Sequence, residues 1–231
     1  LTVLFIVMFV TGFADFTDVI EKKTFDIRSK ISASVERCPD IELVVINDED
    51  LAEIGRFPWP RSIIAQGVNN LAMAGAKVIA LDIMFNEPEE SAGLNTIREL
   101  NKVWSELSLP DKDSTAAAFS ELLKTAEANL DHDARLVEAF EKAGNVVLPV
   151  YFDTRSTGRD QDTPDYIAEN AFKVIHGLKD DWSMRSIMWH PKIIPLLPSF
   201  AHAAAGIGHI NLFPDSDGSI RSQTHAIGYL D

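Results

Sequence analysis

The sequence predicts an α/β domain with a mixed sheet flanked by helices, and three observations support this prediction. Short apolar runs rich in β-branched residues alternate with helical patterns. The first runs are joined by short links around one helix, which favours parallel βαβ units. A Pro-Asp-Ser-Asp-Gly segment between two late apolar runs predicts an antiparallel hairpin. With 231 residues, 46% of them hydrophobic, the chain can bury a full core.

The first predicted βαβ unit spans residues 42–85. ELVVIN (42–47) and KVIALDIMF (77–85) have the composition of buried strands. Ser62 is a candidate N-cap for a helix that runs to about residue 74, and Gly75 is its expected C-terminal cap. The stiff turn GRFPWPRS (55–62) precedes this helix.

The alternation repeats further along the chain. A helical pattern around residues 130–140 is closed by Gly144, and NVVLPVYF (145–152) is a third predicted strand, in which Pro149 indicates an exposed edge or a local irregularity. Residues 90–129 are acidic with weaker helical patterns, and we expect an insertion there. A small-residue helix at 201–205 precedes the predicted hairpin.

The N-terminal residues differ from the rest. Residues 1–13 carry no charge but are shorter than the ~20 residues that span a bilayer. A signal-peptide core and a buried helix are alternatives, and we expect residues 1–14 to be the end of a transmembrane helix. Apolar residues at helical spacing predict a membrane-proximal helix over 15–38 that Pro39 ends: Phe16, Val19, Ile20, Ile27 and Ile31. Residues 39–231 form the predicted domain, and we expect a further C-terminal part beyond Asp231, because the last strand lacks a neighbour.

Composition disfavours several classes of function. The net charge of −14 repels nucleic acid and anionic lipid headgroups. One cysteine, Cys38, permits neither an internal disulfide nor a cysteine-based zinc site. A P-loop, a dinucleotide fingerprint and a Gly-x-Ser-x-Gly nucleophile motif are all missing from the sequence. We therefore predict no cofactor, no nucleic acid partner and no enzymatic activity for this chain.

Carboxylates follow the first two predicted strands. Asp48, Glu49 and Asp50 come directly after residues 42–47, and Asp82 and Glu87 belong to the second strand and its end. Because ligands gather at the carboxyl ends of parallel strands, these side chains could converge on a cation or a polar ligand. The alternative is structural: Asp82 bonded to backbone amides or to Arg61, and the others capping the next helix.

Two further groups of residues are candidate sites. Trp59 and Arg61 could form a recognition lip for an anionic or aromatic ligand, or a stapled turn in which Arg61 pairs with Asp48 or Asp82. Asp215 and Asp217 imitate the start of a calcium loop, although Asp and Gly are also typical of turns. The histidines lack metal-ligand spacing: His132, His176, His190, His202, His209 and His225.

Four ordered motifs carry a resemblance to a known family: GRFPWPRS, GAKVIALDIMFNEPE, GNVVLPVYF and AAAGIGHINLFPDSDGSIRS. Over residues 16–228 the chain resembles the second type of CHASE domain, the extracellular sensory domain associated with bacterial cyclases, histidine kinases and serine/threonine kinases. TFDIRSK (24–30) is similar to the family's membrane-proximal helix, with Asp26 and Arg28 matching its Asp-x-Arg. The stretch 91–129 is longer than the family's pattern.

The resemblance implies an extracytoplasmic α/β sensor, anchored in the cell membrane and dimeric, with a cytoplasmic output domain. We expect this chain to sense a small molecule or a protein outside the membrane, and the long helix to relay the change. The binding residues predicted are Asp48, Glu49, Trp59, Arg61, Asp82 and Glu87. Two alternatives stay open: a metal-dependent hydrolase using Asp48, Asp82 and Glu87, and an envelope scaffold without a ligand.

Overall fold

The computed structural model describes residues 13–33, 36, 38–89, 91–107, 114–155, 163–173, 188–190 and 192–229. The chain divides into two compact units, Leu1–Ile54 and Gly55–Asp231. The predicted transmembrane residues 1–12 lie outside the described residues.

The N-terminal unit contains helix α1 (Phe13–Ser32) and helix α2 (Asp48–Ile54). Helix α1 covers most of the helix predicted over 15–38 but ends at Ser32, before Pro39, and its position next to a membrane stays a prediction. The hydroxyl of Thr24 donates a hydrogen bond of 2.7 Å to the carbonyl of Ile20 one turn earlier. Ile27 and Ile31 are exposed. Among the described residues, no helix combines the length and the apolar character needed to cross a membrane.

The predicted strand at residues 42–47 is wrong. This segment forms no strand, and its apolar side chains are exposed, with Leu43 at 81% and Val45 at 60% exposure. β propensity expresses packing against neighbouring strands rather than a preference of the isolated backbone. The described residues of the N-terminal unit offer this segment no strand to pair with.

The C-terminal unit contains the sheet. Its elements in chain order are α3 (Arg61–Met73), β1 (Ile79–Ala80), α4 (Ala92–Glu106), α5 (Ser114–Leu130), α6 (His132–Ala143), β2 (Val146–Phe152), α7 (Asp165–Asn170), β3 (Met188–His190), β4 (Ile193–Ile194), α8 (Pro198–Ala203), β5 (Gly206–His209) and β6 (Ile227–Tyr229).

Strand β2 is the centre of a mixed sheet, as predicted. It pairs in parallel with β1 on one side and with β5 on the other, and its last two residues pair antiparallel with β4. Strand β1 contains two residues, whereas the sequence predicts a strand over 77–85. A second sheet consists of β3 and β6 in parallel. The mixed α/β class is therefore confirmed.

Pro149 lies inside β2 and is buried. Alternate residues of β2 bond to opposite neighbours: the carbonyl of Val147 accepts from Leu81 after β1, and that of Val150 accepts from Ile210 after β5. The N–H that Pro149 lacks would point to the same side as Val147, beyond the end of β1. In a parallel ladder that missing N–H would face the backbone of Leu81, so the pairing of β2 with β1, which ends at Val147, stops where Pro149 lacks a donor.

Helices α3 and α6 pack against each other and against the sheet. Gly144 ends α6 with φ +67°, as the sequence predicts. Helix α3 begins at Arg61, so Ser62 is its second residue and the predicted Ser62 cap is wrong. The core between the layers includes Phe85, Phe140 and Phe200, whose ring centroids lie 5.1–6.1 Å apart.

The predicted hairpin of the C-terminal region is half correct. The turn forms: the N–H of Asp215 donates to the carbonyl of Ser219 at 2.9 Å, and Gly218 has φ +80°. The flanking strands do not pair with each other, because β5 pairs with β2 and β6 pairs with β3. Residues 210–226, which lie between β5 and β6 and include the turn, contain no strand, so no ladder extends from the turn.

The expected insertion at 90–129 consists of helices over most of its length. Arg98 of α4 bonds to Glu127 of α5 at 3.2 Å, and Trp104 meets Phe119 with ring centroids 4.7 Å apart. The two helices thus pack on each other through polar and aromatic contacts.

Candidate ligand-binding cleft

Arg61 is the centre of a polar network at the start of α3. One guanidinium nitrogen donates to Asp133 in the first turn of α6, and another donates to the carbonyl of Glu87. The backbone N–H of Arg61 donates to a carboxylate oxygen of Glu89 at 2.8 Å. A distant carboxylate therefore caps α3, where the helix dipole favours negative charge.

The network extends to the other side of the same loop. The backbone N–H of Glu89 donates to Asp133 at 3.1 Å, and the second oxygen of Glu89 lies 2.8 Å from the ring Nδ1 of His132. The side chains of Arg61, Asp133, Glu89 and His132 are 13–25% exposed. These contacts fix the loop that follows β1 onto both helices.

Two aromatic rings pack against the guanidinium of Arg61. Its guanidinium carbon lies 5.4 Å from the ring centroid of Phe85 and 5.1 Å from that of Phe200. At this distance the cation interacts favourably with the faces of the rings. Arg61 thus joins the charged network to the aromatic core.

An open cleft of about 820 Å³ lies beside this network. Leu94 of α4 together with Ala134 and Val137 of α6 contributes its apolar walls. The same cleft is lined by carboxylates from the loop after β1 and from α6: Glu87, Glu89, Asp131, Asp133, Glu138 and Glu141. This size is typical of small-molecule sites.

The carboxylates of the cleft fall into two groups. Glu89 and Asp133 belong to the Arg61 network, and Asp131 accepts from Arg98 at 2.5 Å and caps α6 through the N–H of Ala134. The remaining three carboxylates are those of Glu87, Glu138 and Glu141. Their side chains form no ion pair or hydrogen bond with other described residues. The cleft therefore presents three carboxylates without ion pairs beside an apolar wall, and Glu138 also lines a smaller cavity together with Arg135 and Lys142.

The acidic residues after residue 47 cap a helix. The side-chain oxygen of Asn47 accepts from the N–H groups of Glu49 and Asp50 at 2.8 and 3.0 Å, and Asp50 accepts in return from Asn47 at 2.9 Å. This reciprocal arrangement is a capping box at the start of α2. Asp48 and Glu49 belong to the N-terminal unit, so their convergence with Asp82 and Glu87 stays a prediction.

The remaining predicted site residues have separate positions. Asp82 is exposed and makes no contact with Arg61, whose carboxylate partner is Asp133. The indole N–H of Trp59 donates to the carbonyl of Gly55 at 2.7 Å, and its ring meets Phe57 edge to face. Trp59 therefore closes the turn before α3. Glu87 is the predicted binding residue that also lines the cleft.

Asp215 and Asp217 both bind a cationic side chain. Arg221 donates to Asp215 at 2.6 Å and to Asp217 at 2.8 Å, and its side chain is 9% exposed. Asp215 and Asp217 therefore belong to a turn in which both carboxylates bind Arg221. Among the described residues, no group of three or more acidic, histidine or cysteine side chains is placed to hold a metal ion. The metal site and the hydrolase that would use Asp48, Asp82 and Glu87 stay predictions.

Most of the cleft was missed by the sequence interpretation. Arg61 and Asp133 are 72 residues apart, and attraction between charges does not specify which of many carboxylates pairs with an arginine. Glu138 and Glu141 belong to α6, the helix that contains Val137. Glutamates on the polar side of a helix are typical of ordinary solvated faces, so the sequence pattern does not indicate a cleft. The acidic insertion was a usable signal, because Leu94 and Arg98 line the cleft.

Comparison with known proteins identifies the family. The model of the CHASE2 domain matches residues 1–230, the whole chain apart from its last residue. The chain therefore belongs to the CHASE2 family of extracellular sensory domains, and the resemblance drawn from its four motifs is confirmed. The curated proteins and the solved structures contain no match to this chain.

Proposed function

We propose that this chain is the extracytoplasmic ligand-sensing domain of a membrane-anchored bacterial receptor, and that the cleft between α4 and α6 binds the ligand. The output would be a cyclase, a histidine kinase or a serine/threonine kinase, and the receptor would act as a homodimer. The observation that carries this proposal is the open 820 Å³ cleft with three carboxylates that lack protein partners. Membership of a sensory family supports it.

The lining indicates the chemistry of the ligand. Six carboxylates and one guanidinium, that of Arg98, face the cleft, and both charges of Arg98 and Asp131 are already paired. A cationic ligand would be attracted by the field of the cleft, and its carbon skeleton would contact Leu94 and Val137. We therefore expect a small organic cation, such as a polyamine or a basic amino acid, to bind in preference to an anion.

Thermal unfolding measured with a panel of solutes tests this proposal. The panel contains spermidine, arginine, lysine, Mg²⁺ and Ca²⁺, with citrate and glutamate as anionic controls. A ligand present at ~100 times its dissociation constant stabilises the native state by about 2.7 kcal/mol. We expect at least one organic cation to raise the unfolding temperature, and neither anion to do so.

Paired variants assign the binding to the cleft. Glu138→Gln with Glu141→Gln removes two unpaired charges and keeps the shape of both side chains, so the shift should fall strongly. Glu99→Gln with Glu121→Gln removes two exposed charges from α4 and α5 outside the cleft lining, and should keep the shift. Equal shifts in both variants would show non-specific screening of the acidic surface.

Helix α1 is the proposed relay to the membrane. A proline at Thr24 removes the N–H that bonds to the carbonyl of Ile20 and costs ~3 kcal/mol in a helix interior. In the full-length receptor we expect Thr24→Pro to abolish the dependence of output on the ligand, while Thr24→Ala keeps it. Normal regulation in the proline variant would contradict the relay.

A further inference from the structure

His209 lies where the two sheets of the C-terminal unit meet. It is the last residue of β5 and pairs in register with Val150 of β2. The centroid of its ring lies 6.4 Å from that of Phe152, and the Phe152 ring also lies 6.0 Å from the ring of Tyr229 on β6. Phe152 therefore joins His209 to the small β3–β6 sheet.

The surroundings of the His209 ring disfavour its protonated form. Its Nδ1 is buried and has no hydrogen-bond partner among the described residues. Burial lowers the pKa of His209, and the nearby positive charge available to His225 lowers it further, while backbone groups of His225 and Thr224 oppose these effects. The neutral ring is therefore the form that this position favours.

Among the described residues, no carboxylate is one of the groups that shift the pKa of His209. The titratable groups on the elements around His209 are His225, in the segment that leads to β6, and Tyr229 on β6 itself. Asp153 and Lys192 flank the paired ends of β2 and β4, and neither is among the groups that shift the pKa of His209. A proton on His209 would meet an aromatic ring, buried backbone and a second histidine.

A third histidine occupies the same region. His190, at the end of β3, lies opposite Tyr229 in the β3–β6 pair and stacks on Phe213 with ring centroids 5.8 Å apart. Its Nε2 is also buried without a hydrogen-bond partner among the described residues. The region between the two sheets thus contains two histidines, His190 and His209, each with a buried ring nitrogen that has no hydrogen-bond partner among the described residues.

We propose that the joint between β5 and the β3–β6 sheet is an acid-sensitive switch, in which protonation of His209 beside His225 detaches β6 from the main sheet. The switch is separate from the cleft and requires no ligand there. On the extracytoplasmic side, the solvent pH would act directly on this joint.

The direction of the pH effect follows from the lowered pKa. Below 6.5, the ordinary histidine value, the unfolded or detached state binds a proton more readily than the native state does. The stabilising contribution of neutral His209 is therefore complete above the pKa of the detached state, and it is lost as the pH falls through the lower native pKa.

Amide hydrogen exchange at pH 7.5 and pH 5.5, corrected for intrinsic rates, tests the switch. We expect the amides of Ile227–Tyr229 to open several-fold more often at pH 5.5, and the central amides of β2 to change little. His209→Gln should remove this acid response, and His225→Gln should reduce it. His202→Gln, which changes a half-exposed histidine beside Asp165, should leave it intact.

A measurement on the wild-type chain tests the switch without a variant that fails to fold. The pKa of His209 in the wild-type chain, followed by NMR of its ring, should lie below 6.5, the ordinary histidine value. A pKa of His209 at or above 6.5 would overturn the switch. Unchanged acid opening in a folded His209→Gln variant would overturn it as well.

Discussion

Replacing Arg61 with methionine should destabilise the C-terminal unit by about 1.5–3 kcal/mol, the usual worth of hydrogen bonds to charged groups, because the pair is only partly buried. Methionine keeps the length and apolar contacts of the side chain above Phe85 and Phe200. It leaves Asp133, whose side chain is 25% exposed, without its cation. It also removes the donor to the carbonyl of Glu87.

Urea unfolding of a double-mutant cycle measures this effect. Arg61→Met combined with Asp133→Asn should be less destabilised than the sum of the single variants, because the unpaired charge is gone. Arg135→Met, an exposed arginine on the same helix as Asp133, should change the free energy of unfolding by less than about 0.5 kcal/mol. Additive effects at positions 61 and 133 would contradict the network.

Replacing Asn211 with alanine should destabilise the unit by about 3 kcal/mol. Its side chain is 1% exposed and forms two bonds to the end of β2: its oxygen accepts from the N–H of Phe152 at 2.8 Å, and its amide donates to the Phe152 carbonyl at 2.7 Å. Alanine leaves two buried backbone groups unsatisfied, each costing about 1–3 kcal/mol.

The matched control is Asn86→Ala, because Asn86 is exposed. Denaturant unfolding followed by circular dichroism compares the two variants. We expect a large loss of unfolding free energy for Asn211→Ala and a change within about 0.5 kcal/mol for Asn86→Ala. Equal midpoints for the two variants would show that water replaces the bonds of Asn211 without cost.

The elements of the fold that the sequence predicted correctly are those with local sequence signals. Helix α6 was predicted because a helical apolar pattern is followed by Gly144, which the structure places in the left-handed conformation, and β2 because 145–152 is a short run rich in β-branched residues. The pairing of β5 depended on which distant edge is buried, and local sequence does not encode that. The same holds for residues 42–47, whose composition is typical of a strand that the structure does not form.

The residues of the candidate site also divide into those that local sequence signals predict and those that depend on distant packing. Glu87 was found because it follows a predicted strand, where ligands gather. Asp133, Glu138 and Glu141 were missed, because their role depends on the placement of α6 beside the loop after β1. Capping residues are local, so the structural alternative for Asp50 was foreseeable from the sequence, and the pairing of Arg61 with Asp133 was not.

The most direct test of the central claim is a calorimetric titration of the chain with the cation that most raises its unfolding temperature. We expect saturable binding at one site per chain, weakened at least about tenfold by Glu138→Gln with Glu141→Gln, and unchanged by Glu99→Gln with Glu121→Gln. Tenfold corresponds to about 1.4 kcal/mol of binding free energy. Equal affinity in both variants, or no saturable binding of any organic cation, would contradict a ligand site in the cleft.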